Sequence, residues 1–405
     1  MRSIGIDGIA PFAIGRLPRV AFGPGRVGEL PDTIARHGRR ALVITGAASF
    51  RRSRHWPELL EALDERGIEH WQASVAGEPE PATVDDLVAD HRGREVEVVV
   101  GIGGGSVLDT AKAAAGLLRA TTTVVDHLEG MPKQIPYEGP ALPWIAVPTT
   151  AGTGSEATRN GTFIVRGEHR AKRSFRDERL VAAEAIVDPD LLIGQSPDGL
   201  AANGSDALTQ LIESYLSTGA APWTDALALD ALGDVGQALP RWHAAVAAGG
   251  DDVAARSAMS YGALVGGICL AHAGLGVVHG LVAPLGAVID VPHGAGCGAM
   301  LVAGIETNVR ALETRESGSP TLDKLARLGR LLAAPTRDDA EARRALVDWL
   351  RSVVDRLALP GLASYGLTEA LIGQVAASAR TSSSMRSNPI GLTEDELAGV
   401  LRASL

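Results

Sequence analysis

Two histidines stand out in a long stretch that carries almost no charge. His279 and His293 lie fourteen positions apart within the run Gly274–Gly294. Because a buried imidazole needs a polar or charged partner, such a pair is suited to binding a metal ion. Pro284 and Pro292 lie between the two rings, so one unbroken helix cannot carry both. We predict that each histidine lies near the end of an element and that the two converge in space.

Further candidate ligands lie in the predicted helix Leu200–Ser214. Asp206 and Gln210 are four residues apart there and therefore share one helix face. A carboxylate with two imidazoles is a donor set that can hold a divalent metal. Taken alone, Asp206 is better explained as an acid near a helix N-terminus, where the helix dipole favours negative charge. A lone histidine is likewise more often a hydrogen-bonded core residue than a ligand.

Before residue 194 the chain alternates between predicted strands and helices. Ala41–Thr45 and Val96–Val100 are apolar runs typical of parallel sheets. The glycine-rich segment Gly101–Gly116 follows the second run and enters a helix near Ser106. Glycines let the backbone approach a phosphate, and a helix N-terminus favours an anion. The pattern predicts a nucleotide site at the carboxyl edge of a parallel sheet, with a ligand-free turn as the alternative.

From about Ser196 the chain is predicted to be helical almost to its end. We therefore divide it into an α/β domain with a parallel sheet, residues 1–193, and an all-helical domain, residues 194–405. The uncharged run Tyr261–Ile289 is long enough to span a bilayer, but its histidines, proline and glycines favour a helix and turn buried between other helices. Arg380–Pro389 is predicted to be an exposed loop.

Composition argues against several classes of function. The 405 residues carry a formal net charge of −10, and no basic cluster has interleaved aromatic residues, so nucleic acid is not an expected partner. The N-terminus has no apolar segment of signal-peptide length. Cys269 and Cys297 have no metal-type spacing, and we expect both to be small buried apolar residues. These features predict a cytoplasmic protein without a membrane segment.

Taken together, the motifs resemble the iron-containing (group III) alcohol dehydrogenase family. The resemblance covers nearly the whole chain, and its motifs occur in the family's order: FGPGRVGELPDTI, GIGGGSVLDTAKAAA, AVPTTAGTGSEAT, AIVDPDLL, GSDALTQLIESYLSTGA, GLGVVHGLVAPLGAVIDVPHG and SNPIGLTEDELAGVL. It implies the dehydroquinate synthase-like plan of this family. That plan has an N-terminal dinucleotide-binding lobe, an all-helical C-terminal lobe, and a divalent metal in the cleft between them.

The resemblance also assigns site residues by position. Asp206, His279 and His293 match three of the family's four metal ligands for Fe(II) or Zn(II), and Gln210 occupies the fourth position, which is usually His. The residues expected to contact the cofactor lie in the glycine turn, its helix and the following threonine loop. They are Gly103, Gly104, Gly105, Ser106, Asp109, Lys112, Thr149, Thr150, Gly152, Thr153, Gly154 and Ser155.

Two positions depart from the family pattern. A carboxamide oxygen is a weaker ligand than an imidazole, so Gln210 predicts lower metal affinity and leaves the identity of the metal open. Four residues after His279 the family commonly has a second histidine, whereas this chain has Ala283. His272 is a candidate replacement as a proton relay if one continuous helix places it two turns from His279. A packed histidine without a catalytic role is the alternative.

The end of the second predicted strand bears on cofactor choice. Family members specific for NAD often have an acidic residue there, which binds the ribose and repels a 2′-phosphate. This chain has Gly46 at that position, followed by Ser49 and three arginines that could meet a phosphate: Arg51, Arg52 and Arg54. We therefore predict that NADP(H) is preferred over NAD(H).

The reaction implied by the resemblance is reversible hydride transfer between nicotinamide and the carbonyl carbon of a small aldehyde or ketone. The metal would act as a Lewis acid on the carbonyl oxygen. One alternative is a metal-independent keto-acid reductase similar to maleylacetate reductase, and another is a reductase of phosphonate or sulfonate aldehydes. A nucleotide-binding protein that has lost catalysis is a third. The family also implies a homodimer or a larger homo-oligomer.

Overall fold

Strands and helices alternate through the first half of the chain, as the apolar runs predict. The computed structural model describes residues 9–166 and 171–405. The strands are β1 Arg19–Phe22, β2 Arg40–Gly46, β3 Glu69–Val75, β4 Val98–Gly103, β5 Trp144–Pro148, β6 Asn160–Val165, β7 Ala171–Arg176 and β8 Glu184–Val187. The helices of this half are α1 Leu30–His37, α2 His55–Glu65, α3 Pro81–His91, α4 Gly105–Leu117 and α5 Val124–His127.

Within these described ranges, six strands form one parallel sheet in the order β1-β8-β5-β4-β2-β3. Neighbouring residues of β2 face opposite sides of the sheet. Leu42 and Ile44 belong to the core that includes residues of α3 and α4. Ala41 and Val43 belong to the core that includes residues of α1 and α2. Burial on both faces explains why these strands are continuous apolar runs and do not alternate with polar residues.

The carboxyl ends of the central strands meet at one edge of the sheet. Gly46 ends β2, Gly103 ends β4 and Pro148 ends β5, with Gly103 paired to Pro148. The glycine turn and the loop that follows β5 therefore lie side by side at this edge. Such an edge is where parallel α/β sheets bind nucleotides.

An antiparallel hairpin of β6 and β7 lies outside the predicted alternation. Its buried side chains include Phe163 and Phe175, which share a core with residues of α4. The only apolar run in it is the short Phe163–Val165, and β7 has polar residues around Phe175. Contact with α4 stabilises it, which is a tertiary effect that local patterns do not report.

Residues 197–405, all of which the structure describes, form helices and connecting turns. These helices are α6 Pro197–Leu216, α7 Pro222–Ala247, α8 Val253–Ala273, α9 Val277–Val288, α10 His293–Arg315, α11 Pro320–Leu332, α12 Asp339–Leu357, α13 Glu369–Ala379 and α14 Glu394–Ala403. The predicted fold class, an α/β lobe with a parallel sheet followed by a helical region, is confirmed. The domain boundary after residue 193 stays a prediction.

The apolar run Tyr261–Ile289 forms the end of α8, a turn and α9. By length and composition α8 could cross a membrane, but 61% of its most apolar window is buried inside the structure. It packs against α6 and α7. The predicted helix and turn buried between other helices is therefore what the structure contains.

The segment 380–389 differs from its prediction as an exposed loop. Asn388 is buried there and exchanges side-chain hydrogen bonds with Asn308 of α10. Its Oδ1 also accepts a hydrogen bond from the backbone N–H of Val277 at 3.0 Å. This loop therefore holds the N-terminus of α9, a role that the sequence pattern of the loop does not reveal.

Candidate metal and cofactor site

Three side chains from three helices meet at one point in the C-terminal half. Asp206 lies in α6, His279 in the first turn of α9, and His293 is the first residue of α10. Asp206 Oδ1 lies 3.2 Å from His279 Nε2 and 3.8 Å from His293 Nε2. The predicted convergence of the two imidazoles near element ends is therefore present in the structure. The assignment of these residues as metal ligands stays a prediction.

Glu213 fixes the orientation of the His279 ring. Its buried carboxylate accepts a 2.7 Å hydrogen bond from His279 Nδ1. It also accepts hydrogen bonds from the backbone N–H groups of Val278, at 2.6 Å, and of His279, at 3.3 Å. An acid at the N-terminus of α9 satisfies backbone donors that the helix leaves free. The same contact directs His279 Nε2 toward Asp206, which is how carboxylates orient metal-binding histidines.

The cluster has a strongly perturbed electrostatic environment. Burial alone would lower the pKa of His279, but Cys297, Asp206 and Glu213 raise it well above its ordinary value. Burial lowers the pKa of His293 to about 4, although the Asp206 carboxylate opposes the shift. For Asp206 itself, burial raises the pKa, but the two histidines hold it below its usual range. Asp206 and His293 are therefore in the protonation state that a divalent cation requires, whereas His279 must release a proton when such a cation binds.

Cys297 also contributes an atom to this cluster. Its Sγ lies 3.9 Å from His279 Nε2 and 3.9 Å from His293 Nε2. One possible donor atom from each of Asp206, His279, His293 and Cys297 lies within 4.8 Å of all the others. Cys297 is buried, as predicted, and its neighbours in this cluster are polar side chains. Burial raises the pKa of the thiol to about 11, against the influence of His279.

Gln210 makes a contact outside this group. Its Nε2 donates a 3.1 Å hydrogen bond to the carbonyl oxygen of Thr153, in the loop after β5. The amide also packs closely against Gly266 of α8, where an added Cβ would lie 2.9 Å from Nε2. Gln210 thus connects the helix of Asp206 to the threonine loop. Its predicted role as the fourth metal ligand stays untested.

His272 does not stand two helical turns from His279. α8 ends at Ala273 and α9 begins at Val277, because Gly274 adopts a φ of +78° that terminates the helix. The His272 Nδ1 donates to the carbonyl of Ile268 at 2.7 Å, and its ring packs edge-to-face on Trp223. The continuous helix on which the relay prediction depends is therefore absent, and these contacts agree with a packed histidine.

The predicted cofactor residues lie on the glycine turn and the threonine loop, side by side at the carboxyl edge of the sheet. A Cβ added to Gly104 would lie 3.2 Å from the Thr150 side chain. One added to Gly105 would lie 3.0 Å from Thr153. The glycines therefore let the start of α4 pack closely against the threonine loop. The neighbouring predicted residues line the same turn and loop: Gly103, Ser106, Thr149, Gly152, Gly154 and Ser155.

The threonine loop is tied to both lobes. Gly154 has a φ of +62°, and an added Cβ would lie 2.4 Å from the backbone oxygen of Ala263 and 2.6 Å from Gly267, both in α8. Gly152 lies similarly close to the backbone of Asn203 in α6. Because α6 also carries Asp206, this packing fixes the position of the loop relative to the acid of the cluster.

Asp109 and Lys112 lie beneath this loop and bind protein atoms. Asp109 Oδ1 accepts a 2.6 Å hydrogen bond from Ser155 Oγ. Lys112 is fully buried and its Nζ donates to four oxygens, those of Ser155 O, Ser155 Oγ, Thr158 Oγ1 and Asn160 O. These contacts position the loop, and the predicted contact of Asp109 and Lys112 with the cofactor itself stays a prediction.

The end of β2 presents an arginine and no acid. Arg51 Nε donates a 2.6 Å hydrogen bond to Thr45 Oγ1, and its guanidinium lies 4.8 Å from the centre of the Trp56 ring. Gly46 follows Thr45, and Ser49 is exposed at the start of the next turn. Arg51 is therefore held at the strand end, where its Nη2 also donates a 3.0 Å hydrogen bond to the carbonyl oxygen of Ala73.

Glu213 and Cys297 are site residues that the sequence-based predictions omit. Glu213 lies seven residues after Asp206, which is two turns along the same helix, and Cys297 lies four residues after His293. Helical spacing places each of them on the face of a predicted ligand. That spacing was the available signal, and it becomes informative only once the ligands are suspected.

We expect the substitution Glu213→Gln to weaken metal binding about 10- to 100-fold, because outer carboxylates orient ligand histidines. The side chain keeps its size but loses the charge that holds the His279 ring. Competition with a chromophoric chelator measures the affinity, with Glu306→Gln, an exposed acid of α10, as the control. An unchanged affinity in Glu213→Gln would show that His279 needs no such support.

The buried acid next to Ser155 predicts a pH-dependent stability. Glu156 is 2% exposed, and burial raises its pKa from 4.5 to about 7, opposed by a backbone hydrogen bond and by Lys112. Between these values the folded state binds more protons than the unfolded state, so stability falls as pH rises. In the Glu156→Gln variant this fall in stability with rising pH should disappear, because glutamine does not ionise.

At pH 4 the Glu156→Gln variant and the parent protein should have nearly the same free energy of unfolding. Above pH 7 the free energy of unfolding of the variant should be about 2 to 3 kcal/mol higher than that of the parent. Urea unfolding across this range measures it, with the exposed Glu138→Gln as the matched substitution. A difference in unfolding free energy that does not change with pH would contradict the raised pKa of Glu156 in the folded protein.

Comparisons with known proteins agree on one family over both halves of the chain. The family model described as iron-containing alcohol dehydrogenase matches residues 18–189. The model described as Fe-containing alcohol dehydrogenase family, C-terminal, matches residues 200–405. Among curated relatives, the probable alcohol dehydrogenase EutG of Escherichia coli (strain K12) is 32% identical, over 96% of this chain and 93% of its own length.

Two further comparisons show the range of the relatives. The NAD-dependent methanol dehydrogenase of Bacillus methanolicus is 33% identical, over 68% of this chain and 71% of its own. The crystal structure of a 1,3-propanediol oxidoreductase superposes with a TM-score of 0.88 at 27% identity. That match covers 98% of this chain and all of the other.

Proposed function

Since the chain belongs to the iron-containing alcohol dehydrogenase family, we propose that it catalyses the metal-assisted, NAD(P)H-dependent reduction of an aldehyde or ketone. The reaction is reversible, so the enzyme also oxidises the alcohol. As a member of this family it is an oxidoreductase, and the family implies NAD(H) and a divalent metal. The substrate, the metal and the choice between NADP(H) and NAD(H) belong to the proposal.

One observation carries the proposal, namely the convergence of Asp206, His279 and His293. Burying a carboxylate beside two imidazoles costs free energy unless these groups have a binding partner, and a metal ion is the partner that suits all three. Three such protein ligands are the usual set of a catalytic zinc. The Glu213 contact supports the same reading, since it holds His279 Nε2 toward the group.

The chain's residues would divide the work as follows. Asp206, His279 and His293 would hold the metal, which when bound supplies a Lewis acid for the substrate carbonyl oxygen. The start of α4 would bind the pyrophosphate of the cofactor through its N–H groups. The threonine loop is held in place by Lys112 and by its packing against α8. This loop would orient the nicotinamide half of the cofactor, which supplies or accepts the hydride.

The metal requirement is tested by chelation. We expect the purified protein to contain a divalent metal, to lose its activity on chelation, and to recover it when Zn(II) or Fe(II) is restored. NADPH oxidation with a panel of small aldehydes is the assay. Full activity in protein shown to be free of metal would overturn the metal-assisted mechanism and favour a reductase of the maleylacetate type.

For the cofactor we propose a preference for NADP(H), supported by the position of Arg51 and by the missing acid at Gly46. A hydrogen bond to a charged group contributes about 1.5 to 3 kcal/mol. The Michaelis constant for NADPH should therefore be about tenfold or more below that for NADH.

The substitution Gly46→Asp is expected to reverse this preference by repelling the 2′-phosphate. The site has room, because an added Cβ would meet only the Val107 side chain, at an ordinary 3.9 Å. Gly46→Ala adds that Cβ without charge and is the control. A lower constant for NADH in the parent protein would contradict the proposed preference.

One described basic side chain near the cluster bears on the alternative acidic substrates. Lys172 of β7 is a basic side chain close enough to lower the pKa of His293, but its Nζ lies 2.7 Å from Glu78 Oε2. A neutralised lysine offers little attraction to a carboxylate, phosphonate or sulfonate. Cytoplasmic location and assembly into a homodimer or larger homo-oligomer remain predictions.

A further inference from the structure

The cluster at Asp206 contains a sulfur atom that the family's ligand pattern does not include. Cys297 lies in α10, one helical turn after His293, so its side chain shares the face that carries this imidazole. It is 0% exposed, and its Sγ lies 3.9 Å from the Nε2 atoms of both histidines. A thiol between two imidazoles and a carboxylate is surrounded by metal-binding groups.

The separations fit four ligands of one ion. From bond lengths of 2.0 to 2.3 Å, a tetrahedral zinc separates its ligand atoms by about 3.3 to 3.7 Å. The separations here are 3.2 Å and 3.8 Å from the Asp206 oxygen to the two imidazoles, and 3.9 Å from the sulfur to each imidazole. All four atoms lie within 4.8 Å of one another, so shifts of up to about an ångström would bring them onto one ion.

Gln210, the other candidate for the fourth position, is held through its amide nitrogen by contacts outside this group. Its Nε2 donates to the Thr153 carbonyl and packs against Gly266, so the side chain is fixed between α6, α8 and the threonine loop. An amide oxygen is also a poor competitor with a thiolate for zinc.

We propose that Cys297 Sγ is a metal ligand, and that Asp206, His279, His293 and Cys297 form a donor set that selects Zn(II) over Fe(II). The inference rests on the proposed function, because it assumes that a divalent metal binds at this cluster. When the sulfur–metal bond forms, the thiol proton passes to solvent, since a coordinating thiol is deprotonated. A substrate oxygen would be a fifth ligand, which catalytic zinc can accept.

Cobalt(II) provides a direct test, because it stands in for zinc and reports thiolate ligation by a charge-transfer band in the near ultraviolet. Full-length protein freed of metal is titrated with Co(II), and we expect this band in the parent protein. Cys297→Ser should lose it, while Cys269→Ser should keep it. Cys269 is the matched control, since it is equally buried but lies in α8 with its Sγ near the Thr224 carbonyl.

The same variants are then compared for zinc. Cys297→Ser should lower Zn(II) affinity by more than the roughly 10- to 100-fold expected for an outer-shell partner. In anaerobic competition it should also bind a larger share of Fe(II) than the parent protein. Metal content after gel filtration measures both ions.

The outcomes separate the two levels of the proposal. If Co(II) binds the parent protein without the charge-transfer band, Cys297 is not a ligand, and the metal-assisted function still stands. If none of Co(II), Zn(II) and Fe(II) binds, the proposed function fails with it. Because the sequence has only two cysteines, a band that persists in Cys269→Ser assigns the sulfur to Cys297 even if Cys297→Ser does not fold.

Discussion

Replacing His279 with alanine is expected to abolish metal binding and activity together while leaving NADPH binding largely intact. The imidazole lies 3.2 Å from Asp206 and is held by Glu213, so no neighbouring group can take its place. Lewis-acid assistance is worth several kcal/mol, so the loss should be about a thousandfold or more in kcat/KM. His293→Ala should behave in the same way.

Three measurements on the variant separate its effects. Metal content and aldehyde reduction should both fall, whereas the fluorescence change on NADPH binding should persist because the glycine turn belongs to the other lobe. His243→Ala, in α7 and outside the cluster, is the control. Retained activity in His279→Ala would remove the chemical basis of the proposed reductase.

The second large effect is expected for Lys112→Met, which should lower the free energy of unfolding by about 3 to 5 kcal/mol. Breaking a buried pair leaves the other charge without compensation, and that is the cost such variants show. Here the change removes the hydrogen bonds that the three N–H groups of Nζ share among four oxygens and leaves the largely buried Asp109 without its counter-charge, while methionine fills the same space. NADPH affinity should fall too, because the loop at Ser155 loses its support.

Chemical denaturation measures this change, with Lys133→Met, an exposed lysine, as the control. The double variant Asp109→Asn/Lys112→Met should recover part of the loss, because the unpaired acid is then gone. A change below about 1 kcal/mol in Lys112→Met would place this lysine among ordinary exposed residues.

The fold was largely predictable because its sequence signals are local. Buried parallel strands such as Val98–Gly103 are apolar on both faces, and a glycine turn followed by a helix marks the sheet edge. His279 and His293 belong to separate elements, as predicted, but only Pro292 marks the break before α10, since Pro284 lies inside α9. The family resemblance supplied the remaining step, because no local pattern brings Asp206 to these histidines.

The parts that sequence reasoning missed depend on tertiary contacts. Glu213 is an ordinary helical acid until α9 is placed against it, and Asn388 belongs to an unremarkable loop until its amide meets Asn308. The continuous helix assumed for His272 is absent for a local reason, because Gly274 ends α8 with a positive φ. Cys297 was judged by cysteine spacing alone, whereas its spacing to His293 was the informative one.

The most direct test is a crystal structure of the protein with NADPH and metal, with the metal located by its anomalous scattering. The proposal requires one ion in contact with Asp206, His279 and His293, in the same cleft as the nicotinamide ring. An ion bound elsewhere, or these three side chains turned away from the cofactor, would contradict the proposed mechanism.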